Sequence, residues 1–353
     1  MKIEKLYPEF KDNIWGGKKL INHYNKSCEK EICAESWELS FHPDGPSKIS
    51  SGELLADVIT MDDLGKNAKG FEMFPMMIKL IDAKDNLSVQ VHPSDEYALK
   101  NENSYGKTEM WYIVEADEGA GIYLGFSRDV TKDEVEEAIG NNSLTELMNF
   151  FEVKAGDCFF IPSGTIHAIG TGCLIYEIQQ YSNLTYRVYD YGRRDKNGNT
   201  RELHIEKALN VLDFSAYEKV EQTGELLGIS KYFTARKITL SGSEKLFRED
   251  RNGFRCVTVV EGNGRINDTP ISQGDSYFIP ATEPGFILSG DMTVILAELR
   301  QYGVRTNAAA QGFEAELYDD TGRVIATHIS SSEECATKEL FKKANITFAD
   351  IVL

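Results

Sequence analysis

The segment from Leu87 to His92 presents a row of polar side chains along one face of a predicted strand. Apolar and polar residues alternate there. Because successive side chains of a strand point to opposite faces, Ser88, Gln90 and His92 share one face. A polar face inside an otherwise apolar sheet structure needs a partner, so these three side chains are candidates for binding rather than for core packing.

The side chains that could meet this face come from two later segments. Alternation places Lys107, Glu109 and Trp111 on one face of the next strand, so a cation and a carboxylate point into the same space. The segment before His167 lies between a glycine turn and a Pro/Gly turn, which predicts that this histidine points back into the cavity. Two imidazoles, a carboxylate and an amide could converge on one cation, and zinc accepts such ligands at about 2.0–2.2 Å.

The other histidines and the cysteines give no comparable signal. A lone histidine in a strand is more often exposed or hydrogen-bonded in a core than bound to a metal. That interpretation applies to His23, His42, His204 and His328. The six cysteines form no CxxC pair, so we expect free thiols, and any metal must rely on His, Glu, Asp or Gln.

The charge balance excludes some classes of partner. The chain has 38 Lys and Arg against 56 Asp and Glu, a net charge of -18, and no segment collects basic residues alone. We therefore expect no nucleic-acid partner and no membrane partner. Charges occur throughout the segment from Met1 to Trp15, which lacks the apolar core of a signal peptide. We expect a cytoplasmic protein, with a monomer as the default.

The hydrophobic pattern is typical of β structure. Short alternating runs separated by Gly-rich and Asn-rich breaks favour a sandwich or barrel over a βαβ fold. Helical spacing occurs at 131–149 and 202–214, which we predict to be covering helices. The pattern Gly-Asp-x-x-Phe-Ile-Pro occurs at 156–162 and again at 274–280, which indicates a duplicated barrel.

The two copies differ where chemistry would matter. Five residues after its proline, the first copy has His167 and the second has Gly285, so only the first is equipped for a metal. We therefore predict a site-bearing domain with helical insertions over 1–227, a second, metal-free barrel over 228–300, and an extension over 301–353.

The extension carries no chemical motif. We predict a β-hairpin over 313–329 and a helix over 332–345, and we expect a small packing appendage.

Four separated motifs in this order resemble the type I phosphomannose isomerases, in particular their short bacterial form. The motifs are Gln90-Val91-His92-Pro93, Gly106-Lys107-Thr108-Glu109, Pro162-Ser163-Gly164-Thr165-Ile166-His167-Ala168 and Tyr186-Arg187-Val188-Tyr189-Asp190-Tyr191. The resemblance covers about residues 1–300 and includes Trp15-Gly16-Gly17 and Glu35-Ser36-Trp37-Glu38. It implies a mainly β fold of two cupin-like jelly-roll barrels with a few covering helices.

The resemblance also implies a zinc-dependent isomerase that interconverts mannose 6-phosphate and fructose 6-phosphate, with one zinc ion per chain. The implied zinc ligands are Gln90, His92, Glu109 and His167. The implied active-site arginine is Arg187, and the residues near the sugar phosphate are Lys79, Ser88 and Lys107. Moving a proton between C1 and C2 through an enediol-like intermediate develops an oxyanion, which requires such positive charge.

The catalytic base and the function itself have alternatives. Carboxylates, a histidine and zinc-bound water could each carry the proton in such a pocket. Some relatives carry an acidic residue where this chain has Asn183, which argues against a base at that position and favours Glu177 or Asp190. We assign Glu177 to catalysis and Asp190 to substrate binding. One rival function is a non-catalytic sugar-phosphate-binding cupin, which would be expected to lose some of the residues kept here. Another is an iron oxygenase, because two histidines and a carboxylate also suit Fe(II), and oxygen-dependent turnover would favour it.

Overall fold

The chain divides into two compact units. A computed structural model describes residues 1–194, 198–219, 224–247, 251–300, 302–310, 312–319, 324–332, 336–337 and 340. The amino-terminal unit comprises Glu9–Trp37 and Met77–Lys219. The carboxy-terminal unit comprises the described residues of Met1–Pro8, Glu38–Met76 and Val220–Leu353. The domain boundaries at 227 and 300 stay a prediction.

The described residues are mainly β, as predicted. The strands are β1 (Glu4–Lys5), β2 (Glu9–Lys11), β3 (Glu35–Leu39), β4 (Met76–Ala83), β5 (Val89–Val91), β6 (Glu109–Ala116), β7 (Gly121–Phe126), β8 (Met148–Glu152), β9 (Cys158–Ile161), β10 (His167–Ile169), β11 (Cys173–Gln180), β12 (Tyr186–Tyr189), β13 (Leu226–Ile229), β14 (Thr234–Phe247), β15 (Arg255–Ile266), β16 (Thr269–Ser272), β17 (Ser276–Ile279), β18 (Gly285–Glu298), β19 (Tyr302–Ala309), β20 (Gly312–Asp319) and β21 (Val324–Ser330). The α-helices are α1 (Lys19–Asn22), α2 (Leu55–Val58), α3 (Met61–Leu64), α4 (Asp95–Asn101), α5 (Lys132–Gly140) and α6 (Ile205–Leu209), and 3₁₀ helices span Lys66–Gly70 and Leu144–Leu147. Within these described ranges, no helix is both long and apolar enough to cross a bilayer.

The amino-terminal unit is built on two sheets packed face to face. One has the strand order β2-β3-β4-β11-β6-β9 and the other β12-β5-β10-β7-β8. Their facing sides share one apolar cluster, in which Trp111 and Ile175 of the first sheet join Ile122 and Leu124 of the second. Among the described residues both sheets keep free edges, so the predicted jelly roll is a sandwich here rather than a closed barrel.

Helices cover the outer face of the five-stranded sheet, as predicted. Val89 and Val91 of β5 belong to one apolar cluster with Val135 of α5 and Leu209 of α6. Because side chains alternate along a strand, this packing leaves Gln90 on the opposite face, towards the other sheet. The covering helices therefore help to direct the polar face of β5 into the interior of the sandwich.

Both covering helices are shorter than the sequence predicted. Asn142 adopts a left-handed conformation with φ of 58°, which asparagine tolerates better than most residues and which ends the helical path after α5. The chain continues as the strand β8, so 131–149 is not a single helix. Likewise, α6 occupies only the middle of 202–214. Apolar spacing located both helices but did not fix their ends.

A capping box fixes the first turn of α5. Thr131 Oγ1 accepts a hydrogen bond from the backbone NH of Glu134 at 3.2 Å, and the Glu134 carboxylate accepts one from the backbone NH of Thr131 at 2.8 Å. We expect Thr131→Ala to lower the free energy of unfolding by about 1 kcal/mol, as measured by urea denaturation. Thr131→Ser keeps the hydroxyl and should unfold near the wild-type midpoint. An equal loss in both variants would contradict the capping role.

The carboxy-terminal unit is built on a sheet of order β1-β17-β15-β18-β14-β13, with β16 beside β15. Gly242, Gly290 and Gly264 lie side by side on its three long strands. A Cβ atom at Gly264 would lie 2.3 Å from the carbonyl oxygen of Ser289, so only glycine permits this close approach of the two strands. Side chains from both halves of β18 belong to one apolar cluster.

The extension forms a three-stranded antiparallel sheet of β19, β20 and β21. The hairpin predicted over 313–329 is confirmed, and β19 precedes it as a strand that the sequence did not predict. Leu317 of this sheet packs in one cluster with Ile229 and Tyr302. The helix predicted over 332–345 lies mostly outside the described residues.

Candidate metal centre

Three buried side chains converge between the two sheets of the amino-terminal unit. His167 begins β10, Glu109 begins β6, and His92 directly follows β5. Each is at most 1% exposed, and their ligand atoms all lie within 4.8 Å of one another. Glu109 Oε1 is 3.4 Å from His167 Nε2, and Glu109 Oε2 is 3.6 Å from His92 Nε2. Two ring nitrogens and a carboxylate thus surround a point that a metal ion could occupy.

Hydrogen bonds to the backbone orient both imidazoles. His92 Nδ1 lies 2.7 Å from the carbonyl oxygen of Leu184, and His167 Nδ1 lies 2.8 Å from that of Thr165. Because a carbonyl can only accept, each Nδ1 carries the proton and each Nε2 presents a lone pair to the centre. Burial lowers the pKa of His92 well below its usual value and that of His167 to about 4. Both rings are therefore neutral at physiological pH, as metal binding requires.

Glu109 has one carboxylate oxygen with a partner and one without. Its Oε2 contacts the Lys107 ammonium, which also lies 3.0 Å from His92 Nε2. Its Oε1 is buried and accepts no hydrogen bond from any described residue. Burial raises the pKa of Glu109 to about 7, against the opposing effect of Lys107. A buried oxygen without a donor is costly, and a cation beside both imidazoles would satisfy it, so the residues present fit a divalent metal.

Gln90 lies beside this cluster through strand register. It is the cross-strand partner of His167 on one side and of Arg187 on the other. Its side-chain nitrogen is 3.3 Å from His167 Nε2. Half a turn of the amide would present its oxygen to the same point, so Gln90 can supply a fourth ligand atom.

A buried carboxylate and two lysines line the same space. Glu177 Oε2 accepts a hydrogen bond from the indole NH of Trp111 at 2.9 Å, and Glu177 Oε1 lies 3.7 Å from Lys79 Nζ and 4.0 Å from Lys107 Nζ. Burial alone would raise the pKa of Glu177, but the two ammonium groups lower it below the usual value. The carboxylate is therefore ionised at neutral pH.

Lys79 is held by two residues to which the sequence assigned no role. Its ammonium lies over the ring of Trp37, 4.7 Å from the centroid, and 3.9 Å from a carboxylate oxygen of Glu35. The same oxygen accepts a hydrogen bond from the Trp37 indole at 2.7 Å. The Glu35-Ser36-Trp37-Glu38 motif was the available signal, although its spacing alone does not reveal this contact.

Arg187 points its guanidinium towards the strand that carries Gln90. Its Nε donates to Ser88 Oγ at 3.2 Å, and a terminal nitrogen donates to the carbonyl oxygen of Glu202 at 2.9 Å. Burial lowers the pKa of Arg187, and the charge of Arg201 lowers it further. Arginine nevertheless stays protonated throughout the physiological range.

One predicted residue lies apart from these contacts. Asp190 accepts hydrogen bonds from Arg193 and Arg201, with Arg201 Nε at 2.7 Å from its second oxygen. Burial alone would raise the pKa of Asp190, but these two guanidinium groups lower it. Asn183 is exposed. The assignment of Asp190 to substrate binding stays a prediction.

The fold and the site together define a class: a mainly β protein with a buried candidate metal centre beside several cationic side chains. Two known protein families match parts of this chain. Residues 3–142 match the catalytic domain of phosphomannose isomerase type I, and residues 223–299 match the cupin domain of mannose-6-phosphate isomerase.

Individual relatives extend the match over most of the chain. The mannose-6-phosphate isomerase of Streptococcus mutans is 37% identical over 312 residues, 82% of this chain and 96% of the relative. The mannose-6-phosphate isomerase ManA of Bacillus subtilis is 36% identical over 321 residues, 85% of this chain and 100% of the relative. A crystal structure of the mannose 6-phosphate isomerase from Bacillus subtilis matches with a TM-score of 0.74 at 34% identity, covering 84% of this chain and 99% of that one. The chain belongs to the mannose-6-phosphate isomerase family, which confirms the resemblance found in the sequence.

Proposed function

We propose that the chain is a zinc-dependent aldose-ketose isomerase that interconverts mannose 6-phosphate and fructose 6-phosphate, acting as a cytoplasmic monomer. The observation that carries the proposal is the buried cluster of His92, Glu109 and His167, with the Lys107 ammonium in contact with it. The relatives are named for this reaction, which supports it. An anionic sugar with adjacent oxygens suits a metal ligand set beside fixed cations.

Zinc is the proposed ion, one per chain. Gln90, His92, Glu109 and His167 would hold it, a mixed nitrogen and oxygen set that zinc accepts. When bound, zinc polarises the carbonyl and hydroxyl oxygens of the substrate as a Lewis acid. The two Nδ1 hydrogen bonds keep the imidazoles oriented for this role.

We assign proton transfer between C1 and C2 to Glu177. The reaction passes through an enediol-like intermediate and needs a group that accepts a proton from one carbon and returns it to the other. The lysines lower the pKa of Glu177, so its carboxylate is deprotonated at neutral pH, as a base must be. Trp111 holds its Oε2, which leaves Oε1 as the oxygen that takes the proton.

Fixed cations would stabilise the negative charge that develops on the substrate oxygens. We assign this role to Lys107 and Arg187, which are held in place by hydrogen bonds before substrate binds. Lys79 and Ser88 would contact the sugar phosphate, and Asp190 would contribute through the two arginines that it binds.

A coupled assay of mannose 6-phosphate conversion tests the function and the metal together. The purified protein is assayed as isolated, after chelation and after zinc is restored. We expect activity to fall to background on chelation and to return with zinc, because chelation removes the Lewis acid that would stabilise the developing oxyanion. If the activity of zinc-loaded, folded protein never exceeds background, the enzyme assignment is contradicted. Calorimetry with the sugar phosphate would then test the non-catalytic alternative.

A further inference from the structure

Gln179 is a buried glutamine with an unused oxygen. The residue is fully buried in β11. Its side-chain nitrogen donates to the carbonyl oxygens of Gln180 at 3.0 Å and Ser182 at 2.5 Å. These two acceptors use both donors of the amide and so fix its orientation. The opposite atom, Oε1, is buried and accepts no hydrogen bond from the described part of the chain.

Strand register places the Gln179 side chain beside Glu109 of the candidate metal centre. Gln179 is the direct cross-strand partner of Glu109 in the antiparallel pair β11–β6. Side chains of such partners project to the same side of the sheet with Cβ atoms about 4.5–5.5 Å apart. Glu177 and Trp111 form the next such pair two residues away and share a hydrogen bond on that side. Gln179 therefore points into the same interior as the ligand set.

The neighbouring side chains leave this oxygen without a donor. The ring NH groups of His92 and His167 donate to backbone carbonyl oxygens. The Lys107 ammonium contacts Glu109 Oε2. Glu109 Oε1 has no donor either, so adjacent residues present two unsatisfied acceptors. A bound metal ion would satisfy the free carboxylate oxygen of Glu109. A neutral amide oxygen is better suited to an O–H donor that binds beside the metal.

We propose that Gln179 is a further substrate-binding residue whose Oε1 accepts a hydrogen bond from the sugar hydroxyl at C1 or C2. This inference rests on the proposed function, because the hydroxyl is brought there by a sugar phosphate bound at the metal. The amide cannot act as a base at neutral pH, so its contribution is orientation and selectivity for a ligand that carries the hydroxyl.

Calorimetry on zinc-loaded protein with mannitol 6-phosphate and its 1-deoxy and 2-deoxy analogues tests the contact. These alditol phosphates have no carbonyl and cannot isomerise. We expect loss of one of the two hydroxyls to weaken binding to the wild type by about tenfold. Gln179→Met should bind mannitol 6-phosphate more weakly than the wild type by a similar factor. Its affinity for the corresponding deoxy analogue should stay within about twofold of the wild-type affinity. A variant that keeps the wild-type ratio of affinities would overturn the proposal.

Gln180→Met is the matched control. Gln180 is also buried in β11, but its oxygen accepts from the backbone NH of Thr108 at 2.7 Å and its nitrogen donates to Asp95 at 2.8 Å. We expect Gln180→Met to keep the wild-type ratio of affinities for mannitol 6-phosphate and its deoxy analogue. If Gln180→Met also lost that ratio, the effect would be structural and the contact would be overturned. Loss of stoichiometric zinc in Gln179→Met would do the same, because the residue would then serve the metal.

The wild type alone also tests this inference and separates it from the proposed function. If Gln179→Met does not fold, equal affinity of the wild type for all three ligands would overturn the contact without any variant. A wild type that isomerises mannose 6-phosphate but binds the three ligands equally would refute Gln179 alone. A wild type that neither isomerises nor binds mannitol 6-phosphate would refute the proposed function as well.

Discussion

Replacing Arg187 with alanine should lower kcat by about two to four orders of magnitude while zinc binding and the fold persist. The guanidinium is held by Ser88 and by the carbonyl oxygen of Glu202, and register places it beside Gln90. Its charge is therefore in position before any negative charge develops on the substrate, which is the condition under which a fixed cation lowers a barrier most. The measurement is the coupled assay at saturating substrate, with zinc content and circular dichroism on the same samples.

Two further variants make the result specific. Arg128→Ala removes a guanidinium of the same unit that pairs with Glu134 at the surface, and it should retain wild-type kcat. Arg187→Lys keeps the charge without the planar fork and should recover only part of the lost turnover. Near-normal kcat in folded, zinc-loaded Arg187→Ala would remove this residue from catalysis.

The sequence predicted the candidate ligands because they depend on local alternation. Ser88, Gln90 and His92 alternate with Val89 and Val91, which pack against the covering helices, so the three polar side chains share the other face. Alternation likewise places Lys107 and Glu109 on one face at the start of β6. Gln90, His92 and Glu109 follow from that periodicity. His167 follows from the turn chemistry on either side of β9, which ends one strand and starts the next.

The rest of the site depends on pairings between distant segments. Gln179 lies opposite Glu109 only because β11 and β6 pair in one register, and nothing in either segment specifies that register alone. The contact of Lys79 with Trp37 joins strands about forty residues apart in the chain. Local patterns also missed α4, whose seven residues are too few to establish helical periodicity.

The acidic chain and the cationic site are compatible because the two charges act over different distances. A net charge of -18 is spread over the whole sequence, and salt screens exposed charges beyond about 8 Å at physiological ionic strength. Lys79 and Lys107 are instead buried, at 6% and 5% exposed, within about 4 Å of Glu177. Buried charges are screened much less, so these lysines and the carboxylates paired with them affect a bound anion more than the distant surface charge does.

Replacing His167 with alanine should reduce zinc affinity by more than about 100-fold and bring isomerase activity to background. Loss of a residue that only orients a metal ligand typically costs 10–100-fold, and removal of the ligand itself should exceed that range. His167 Nε2 lies 3.4 Å from Glu109 Oε1 and 3.3 Å from the side-chain nitrogen of Gln90, so the ring lies beside two of the other proposed ligands. Competition titration with a zinc chelator measures the affinity.

His23→Ala provides the comparison for this loss. His23 lies in the same unit with its side chain half exposed and pairs with Glu115, so its replacement should leave zinc stoichiometric. If His167→Ala retained one zinc per chain, this residue would leave the proposed ligand set, and Gln90, His92 and Glu109 would be the three protein ligands that a catalytic zinc usually has. Burial lowers the pKa of His167 to about 4, so its ring is neutral and protonation does not compete with the metal near neutral pH. A difference in zinc content between His167→Ala and His23→Ala therefore reports the loss of a metal ligand.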